Sequence, residues 1–264
     1  MLLYYFCQRQ TDGFSIARIR SDLEPRSEWE TPSSADFADI LNQPFRYLGK
    51  GVQTFAFASA DGRYVLKFYR HHRAGHPLSF FSPISPRLKM TLAKRQNKRL
   101  KDFSSYKLGY DHLKEETGLI FIHLNRGDFH QKVTLYDKIG IKHILDLNEM
   151  EFLLQQRAQP FYTALERWID DGQLEEAKEG ITGLLSLLQS RCLKGISDKD
   201  PDLQTNFGFI NQRPIQFDVG RFKLDSSIDT EAELIRITAK LKDWLDQKSP
   251  HLSQHLQKEL EKPF

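Results

Sequence analysis

The order in which two hydrophobic periodicities occur along this chain constrains its fold more than any other feature. Segments of strand type, rich in β-branched and aromatic residues and bounded by turn residues, predominate in residues 45 to 156. After Pro160, apolar residues recur at the helical spacing instead. Because strands that precede helices do not form alternating βαβ units, this order predicts an α+β fold with an antiparallel-sheet N-terminal lobe and a reduced helical C-terminal lobe.

The N-terminal lobe, residues 45 to 157, is predicted to contain a sheet interrupted by a basic insertion and a helix. Three strands come first, at residues 45–51, 54–59 and 64–68, and a tight turn at Gly62 joins the second to the third. A proline-containing insertion and then a helix at about residues 87 to 117 follow. The remaining predicted strands lie at residues 119–124, 132–139, 142–147 and 151–155.

The C-terminal lobe, residues 158 to 264, is predicted to hold amphipathic helices with a short hairpin between two of them. One helix has an apolar face made of Leu174, Ala177, Ile181, Leu184, Leu185 and Leu188. The hairpin pairs residues 207–210 with 214–218, and a capping box of Thr230 and Glu233 is expected to begin the last helix.

Residues 1 to 44 are predicted to form a leader of mixed character. It contains a strand pair, around residues 2–7 and 14–19, and a short helix capped by Ser34. The apolar residues 1–7 are interpreted as an edge strand, and the alternative is the remainder of a trimmed hydrophobic segment.

Charge and cysteine content exclude several classes of protein. The net charge of +3 is too small to indicate nucleic-acid binding by itself. Cys7 and Cys192 lie far apart and form neither a metal-binding motif nor a disulfide framework, which favours a reducing compartment such as the cytoplasm. No apolar run is long enough to cross a bilayer.

Two glycines and a lysine in the first three strands suggest a phosphate-binding function. Gly49 and Gly51 lie at a strand–turn–strand junction, where small residues let backbone amides approach phosphate oxygens. Lys67 lies between apolar residues in the third strand and must reach an edge or meet an anion. The alternatives are ordinary turn glycines and a solvent-facing strand lysine.

A second pair of residues suggests a metal site. Asn206 precedes the predicted hairpin and Asp218 ends it, so that the hairpin would bring the two together. Their side chains carry oxygen ligands of the kind that Mg²⁺ prefers. The alternative is that Asn206 is a turn residue and Asp218 caps the end of a strand.

Taken together, these residues give the chain a resemblance to the protein-kinase-like superfamily between about residues 45 and 222. Asp218-Val219-Gly220 resembles the kinase Asp-Phe-Gly, and Asn206 lies twelve residues before it. The resemblance implies a two-lobed fold that binds ATP and Mg²⁺. Lys67 and the turn that carries Gly49 and Gly51, which we call the glycine turn, would bind the phosphates, and Asn206 and Asp218 would bind the metal.

The resemblance also implies a hinge and a catalytic base. The hinge would lie near residues 155–158, with Gln156 and Ala158 at the nucleotide. Asp198 is the first choice for the base because it directly follows a short apolar stretch, and Asp200 is the second. The alternative is that this loop is a solvated turn.

Three departures from the kinase pattern bear on activity. The acid-rich loop before Asn206 is longer than the usual spacing, and only 44 residues follow Gly220, without an Ala-Pro-Glu motif. The usual position of the helix glutamate that pairs with the strand lysine falls near Ser104, while Glu115 and Glu116 lie later. The sequence therefore leaves two functions open: a minimal phosphotransferase of unknown acceptor, or a catalytically impaired pseudokinase that acts as a protein-binding scaffold.

A basic segment offers a further possibility for a partner. Seven lysines and arginines occur between Arg87 and Lys101 without an acidic residue. Such a segment could meet an acidic surface, which would make the chain a basic adaptor with a kinase-like fold, although a solvated helix face is the simpler interpretation.

Overall fold

A computed structural model describes residues 9–21, 23–32, 37–71, 86–127 and 130–262. The chain divides into two compact units. The first comprises residues 1–107 and 119–157, and the second comprises residues 108–118 and 158–264. The α+β class is confirmed, since the first unit is built on a sheet and the second is mainly helical.

The first unit contains a seven-stranded sheet with strand order β4-β7-β3-β2-β1-β5-β6. Its strands are β1 (Phe45–Lys50), β2 (Thr54–Ser59), β3 (Tyr64–Tyr69), β4 (Leu119–His123), β5 (Lys132–Tyr136), β6 (Lys142–Asp146) and β7 (Phe152–Gln156). All neighbouring pairs are antiparallel except β1 and β5, which are parallel. The predicted antiparallel sheet is therefore correct but for this one pair.

The two faces of the sheet have different roles. Side chains alternate along β3, so that Leu66 and Phe68 enter a phenylalanine-rich core on one face. Lys67 and Tyr69 lie on the opposite face, where Tyr69 packs edge-on against Phe103 of the long helix α2 (Pro86–His112). Burying each large apolar side chain contributes about 1.5–3 kcal/mol, which fixes the strand register and hence the face on which Lys67 lies.

The segment before β1 differs from the prediction. The strand expected at residues 14–19 is wrong, because residues Ile16–Arg18 form a 3-10 helix. A turn with positive φ at Asp12 and Gly13 precedes it and directs the Phe14 ring edge-on against Phe55 and Phe57 of the core. Residues 2–7 and Ser34 lie outside the described residues, and a helical turn, α1, follows at Ala38–Leu41.

The predicted helix at residues 87–117 is two helices. After α2, Leu113 interrupts the helical conformation, and α3 (Lys114–Thr117) ends at Gly118, whose φ is +65°. Within α2, Lys94, Lys98 and Lys101 are exposed, and they are part of the basic segment. The acidic partner expected for this segment stays a prediction.

The second unit has its own apolar core. Besides α3, its helices are α4 (Phe161–Asp170), α5 (Leu174–Leu193), α6 (Leu203–Asn206), α7 (Thr230–Lys248) and α8 (Pro250–Leu260). Leu174 is exposed, while the rest of the predicted α5 stripe is buried in this core. None of the helices in the described ranges is long and apolar enough to span a membrane.

Short strands complete the second unit and carry its polar residues. They are β8 (Gln159–Pro160), β9 (Ile196–Asp198), β10 (Phe207–Ile210), β11 (Arg213–Gln216) and β12 (Phe222–Leu224). The predicted hairpin is β10–β11, and β12 pairs with β9.

The capping box predicted at Thr230 and Glu233 is wrong, and α7, which it was expected to begin, is not the last helix, because α8 follows. Asp229 is the N-cap of α7, and its carboxylate accepts the N–H of Ala232. Glu233 is not available for a box because its side chain pairs with Arg191 and Arg236.

Candidate functional site

The β10–β11 hairpin brings Asn206 and Asp218 together. The carbonyl oxygen of Asn206 accepts the N–H of Phe217 at 2.8 Å and the N–H of Asp218 at 3.3 Å. These bonds extend the hairpin ladder one step beyond the Phe207–Gln216 pair. The two ends of the hairpin are therefore held in contact, as the sequence predicts.

The side chains of Asn206 and Asp218 differ in their burial and in their hydrogen bonds. Asn206 is 7% exposed; its Nδ2 donates to the carbonyl of Asp200, and its Oδ1 accepts from the Thr205 hydroxyl at 3.0 Å. Asp218 is exposed, and its Oδ1 accepts the N–H of Gly220 at 3.1 Å. The Asn206 amide oxygen and the Asp218 carboxylate are of the type that could hold Mg²⁺, because this ion usually takes one or two protein oxygens together with phosphate and water.

No group of three or more His, Cys, Asp or Glu side chains within the described part of the chain has the geometry of a metal site. A cation held entirely by the protein is thus not indicated there. Asn206 and Asp218 would supply only two ligands of a bound cation, and phosphate and water would have to supply the rest.

Arg191 organises the loop that precedes Asn206. It is 1% exposed and lies on α5, one turn beyond the apolar stripe. One of its terminal nitrogens donates to Gln216 Oε1 at 2.6 Å and lies 3.9 Å from Asp198 Oδ2, and the other lies 3.2 Å from Glu233 Oε1. Arg191 therefore links α5 to β9, β11 and α7.

Asp198 is part of this buried network. It is 5% exposed, accepts from Gln216 Nε2, and its Oδ1 accepts the N–H of Asp200 at 2.9 Å. Burial raises the pKa of the Asp198 carboxyl, and the charge of Asp218 adds to the rise, while the Asp200 N–H and Arg191 oppose it.

Asp200 has a different environment from Asp198. Its side chain is exposed, while its backbone is fixed at both ends by Asp198 and Asn206. Of the two aspartates predicted as catalytic bases, only Asp200 offers an accessible carboxylate, whereas Asp198 positions the loop that carries it. The sequence signal for this network is Arg191 itself, a charged residue that continues the apolar stripe after Leu188.

Lys67 and the two glycines lie in the first unit. Lys67 is in the middle of β3, paired with Ala56 on β2 and Leu153 on β7. Gly49 lies at a register shift in β1, and Gly51 donates its N–H to the Thr54 carbonyl at 2.9 Å.

Neither glycine is required by its local conformation or packing. Neither Gly49 nor Gly51 has a positive φ. An added Cβ would meet nothing within 4 Å at Gly49 and only ordinary contacts at Gly51. The predicted contact of these glycines with phosphate stays a prediction.

A buried carboxylate that sequence reasoning missed connects the glycine turn to α2. Asp102 is 3% exposed and accepts from Gln53 Nε2 at 2.9 Å and from the Tyr69 hydroxyl at 3.1 Å. The Tyr106 hydroxyl donates to Gln53 Oε1 at 2.6 Å. Burial and the charge of Asp102 together raise the pKa of the Tyr69 phenol, which thus remains a donor.

The position expected for the helix carboxylate, Ser104, is exposed and its hydroxyl bonds to the Leu100 carbonyl of its own helix. Glu115 is exposed, and Glu116 accepts from Lys194 and Ser190 within the second unit. Asp102 is the first acidic residue after the basic segment, and this was the only sequence signal for it.

The predicted hinge residues lie where the chain passes from the first unit to the second. Gln156 is the last residue of β7, and its Cα pairs with Tyr64. Ala158 is the first residue of the second unit after β7. Their predicted contact with a nucleotide stays a prediction.

Comparison with known proteins gives similarity to solved structures only. No family model matches the chain, and no curated protein sequence matches it. A crystal structure of WbdD is 14% identical with a TM-score of 0.41, and a co-crystal structure of WbdD with a kinase inhibitor is 12% identical with a TM-score of 0.40. A further structure, of the bifunctional kinase–methyltransferase WbdD, is 14% identical with a TM-score of 0.36. These matches cover 80–81% of this chain, which spans only 43–45% of the WbdD chains.

Proposed function

We propose that this chain is a kinase-like domain that binds ATP with Mg²⁺ and transfers the γ-phosphoryl group to a hydroxyl acceptor. The observation that carries the proposal is the double hydrogen bond from the Phe217 and Asp218 amides to the Asn206 carbonyl, which holds together a residue with a buried side-chain amide and a residue with an exposed carboxylate. Mg²⁺, when bound, would neutralise charge on the phosphates.

The first unit supports a phosphate-binding role. Lys67 lies on the third strand, where a kinase-like fold carries the lysine that binds the α- and β-phosphates of the nucleotide. A Cβ added at Gly49, near the end of β1, would meet no atom within 4 Å, and one added at Gly51 would make only ordinary contacts with Thr54. The Asp102–Gln53 bond ties the glycine turn to α2, so that the turn is pre-organised.

In this proposal Asp200 is the base. Its exposed carboxylate would accept the acceptor's proton, while Asp198 and Asn206 hold its backbone. Asp198, which is buried against Arg191 and Gln216, positions Asp200 rather than reacting.

The second candidate function is a pseudokinase that binds nucleotide and a protein partner without turnover. The short connection between β12 and α7 favours it, since α7 begins ten residues after Gly220 and leaves little chain for a platform that seats a peptide. An exposed Asp200 beside Asn206 favours the enzyme over the scaffold.

A thermal shift with ATP and Mg²⁺ tests the proposal. A ligand that binds only the folded state raises the melting temperature, by an amount that grows with its concentration. We expect a shift for the wild type, a much smaller one for Lys67→Ala, and a smaller one for Asp218→Asn, which keeps an acceptor for the Gly220 N–H. Matched controls are Lys142→Ala on β6 and Asp243→Ala on α7, both exposed, which should retain the full shift.

The outcomes separate the two candidates. No shift in the wild type would contradict nucleotide binding and hence both functions. A shift that depends on Lys67 and Asp218, without phosphate transfer to any hydroxyl acceptor, would favour the pseudokinase.

A further inference from the structure

A polar groove lies next to the proposed base, entirely within the second unit. One cleft, of about 230 Å³, is lined by the loop of residues 199–203, by Tyr162 on α4 and by Arg236 and Lys240 on α7. A second cleft, of about 540 Å³, shares Tyr162 and Lys240 and extends to Trp244. The larger volume lies within the range of about 300–1,000 Å³ usual for small-molecule sites. We call the two clefts together the acceptor groove.

The charges that line the acceptor groove nearly cancel. Arg236 donates from its Nε and a terminal nitrogen to Glu233 at 2.8 and 2.9 Å, and Glu233 also pairs with Arg191, whose other carboxylate neighbour is Asp198. Two cations, Lys199 and Lys240, and two carboxylates, Asp200 and Asp202, also line the smaller cleft, where Lys240 Nζ lies 3.9 Å from Asp202 Oδ1. The larger cleft adds Glu166 and the uncharged Thr163 and Gln204.

This balance selects against charged ligands. A phosphate- or carboxylate-bearing acceptor would lose hydration without gaining an uncompensated cation. An ammonium-bearing acceptor would meet only Glu166 as an unmatched carboxylate, and an ion pair with this exposed, solvated group adds little affinity.

Aromatic side chains form part of the wall of the acceptor groove. Trp244 is half-buried, and its ring meets that of Tyr162 edge-on with centroids 5.2 Å apart. Burial, with a further contribution from the charge of Asp202, raises the pKa of the Tyr162 phenol to about 12, so its hydroxyl remains a donor. Aromatic surface beside hydroxyl, amide and carboxylate groups suits a ligand with C–H faces and many hydroxyls.

From this geometry we propose that the acceptor groove binds a neutral, polyhydroxylated acceptor of the saccharide type and presents one hydroxyl to Asp200. The inference rests on the proposed phosphotransfer. The acceptor oxygen bonds to the γ-phosphorus as the bond from that phosphorus to the β,γ-bridging oxygen breaks. ADP leaves with the electron pair, and the hydroxyl proton passes to Asp200 and then to solvent.

Two readouts test the inference on the full chain with Mg²⁺ and ATP present. Trp29 and Trp168 are only 8% and 3% exposed, so acrylamide quenching of tryptophan fluorescence mainly reports Trp244. We expect neutral saccharides (glucose, galactose, maltose) to protect Trp244 from quenching and to accept radiolabelled γ-phosphate. Glucosamine and glucuronate, which match glucose in shape but carry charge, should do both less well.

Variants locate the effect in the acceptor groove. Gln204→Ala and Trp244→Ala should raise the KM for the saccharide by about tenfold or more and leave the Kd for Mg²⁺-bound ATP unchanged. Gln204 is exposed, so its variant tests the groove even if Trp244→Ala fails to fold. Asp243→Ala, on the same helix, is the control and should change neither constant.

The failure of this inference is distinguishable from failure of the proposed function. If Mg²⁺-bound ATP raises the melting temperature but no neutral saccharide protects Trp244 or accepts phosphate, the acceptor inference is overturned and nucleotide binding stands. Preference for glucosamine or glucuronate also overturns it. If Mg²⁺-bound ATP does not bind, both fail.

Discussion

At the scale of single residues, the clearest distinction is between Asp198 and Asp200. The two carboxylates are two positions apart, but one is buried against Arg191 and the other is exposed. A buried carboxylate in an ion pair serves structure, whereas an accessible one next to the proposed metal ligands can exchange protons with an acceptor.

Substituting the two aspartates should separate stability from turnover. Asp200→Asn should lower kcat by about 10²–10⁴ and shift the urea midpoint little, because the side chain is exposed. Asp198→Asn should lower the free energy of unfolding because it leaves Arg191 partly uncompensated in the core. Urea denaturation measures the effect on stability, and a phosphotransfer assay measures the effect on turnover. A fully active Asp200→Asn variant would contradict the role of Asp200 as the base.

Arg191 permits a stricter test at the same scale. Arg191→Met should destabilise the fold by about 3–5 kcal/mol, because it leaves Asp198 without its buried counter-charge. Combining it with Asp198→Asn should cost less than the sum of the two changes, since the partners act on one another. Additive effects in urea denaturation would show that the pair is not coupled.

At the scale of elements, Asp102 ties the glycine turn to α2. Removing its carboxylate should leave the Tyr69 hydroxyl and the Gln53 amide without a buried acceptor. Asp102→Ala should therefore destabilise the fold by about 1–3 kcal/mol and weaken ATP binding by loosening the turn.

Ser104→Ala is the matched control for Asp102→Ala, because Ser104 is two residues away on the same helix but exposed. It should change the free energy of unfolding by less than about 0.5 kcal/mol. The role of Asp102 would be contradicted by equal effects of the two variants in urea denaturation and in ATP titration.

Local sequence patterns predicted the secondary-structure elements better than they predicted the tertiary contacts of individual side chains. The three-strand meander and the β10–β11 hairpin follow from turn residues and strand propensity, which act over a few neighbouring positions. Asp102 and Arg191 could not be assigned in this way, because their roles depend on residues brought near by tertiary packing. The strand expected at residues 14–19 failed for the same reason: Phe14 and Ile19 are apolar because they fill the core from a 3-10 segment.

At the scale of the whole molecule, each unit has its own apolar core and contributes residues to the proposed function. Lys67 belongs to the first unit, and Asn206 and Asp218 belong to the second. If ATP requires all three, a substitution in either unit should reduce the stabilisation that ATP gives to the complete chain.

The most direct test of the central claim is isothermal titration of the wild-type chain with ATP, in Mg²⁺ and again in EDTA. The account predicts one ATP per chain in Mg²⁺, and an affinity lower by about tenfold or more in EDTA, equivalent to about 1.4 kcal/mol or more. Asp218→Asn should reduce the difference between the two conditions, because the Mg²⁺ ligand is then lost. No binding in Mg²⁺, or the same affinity in EDTA for wild type and Asp218→Asn alike, would contradict the account.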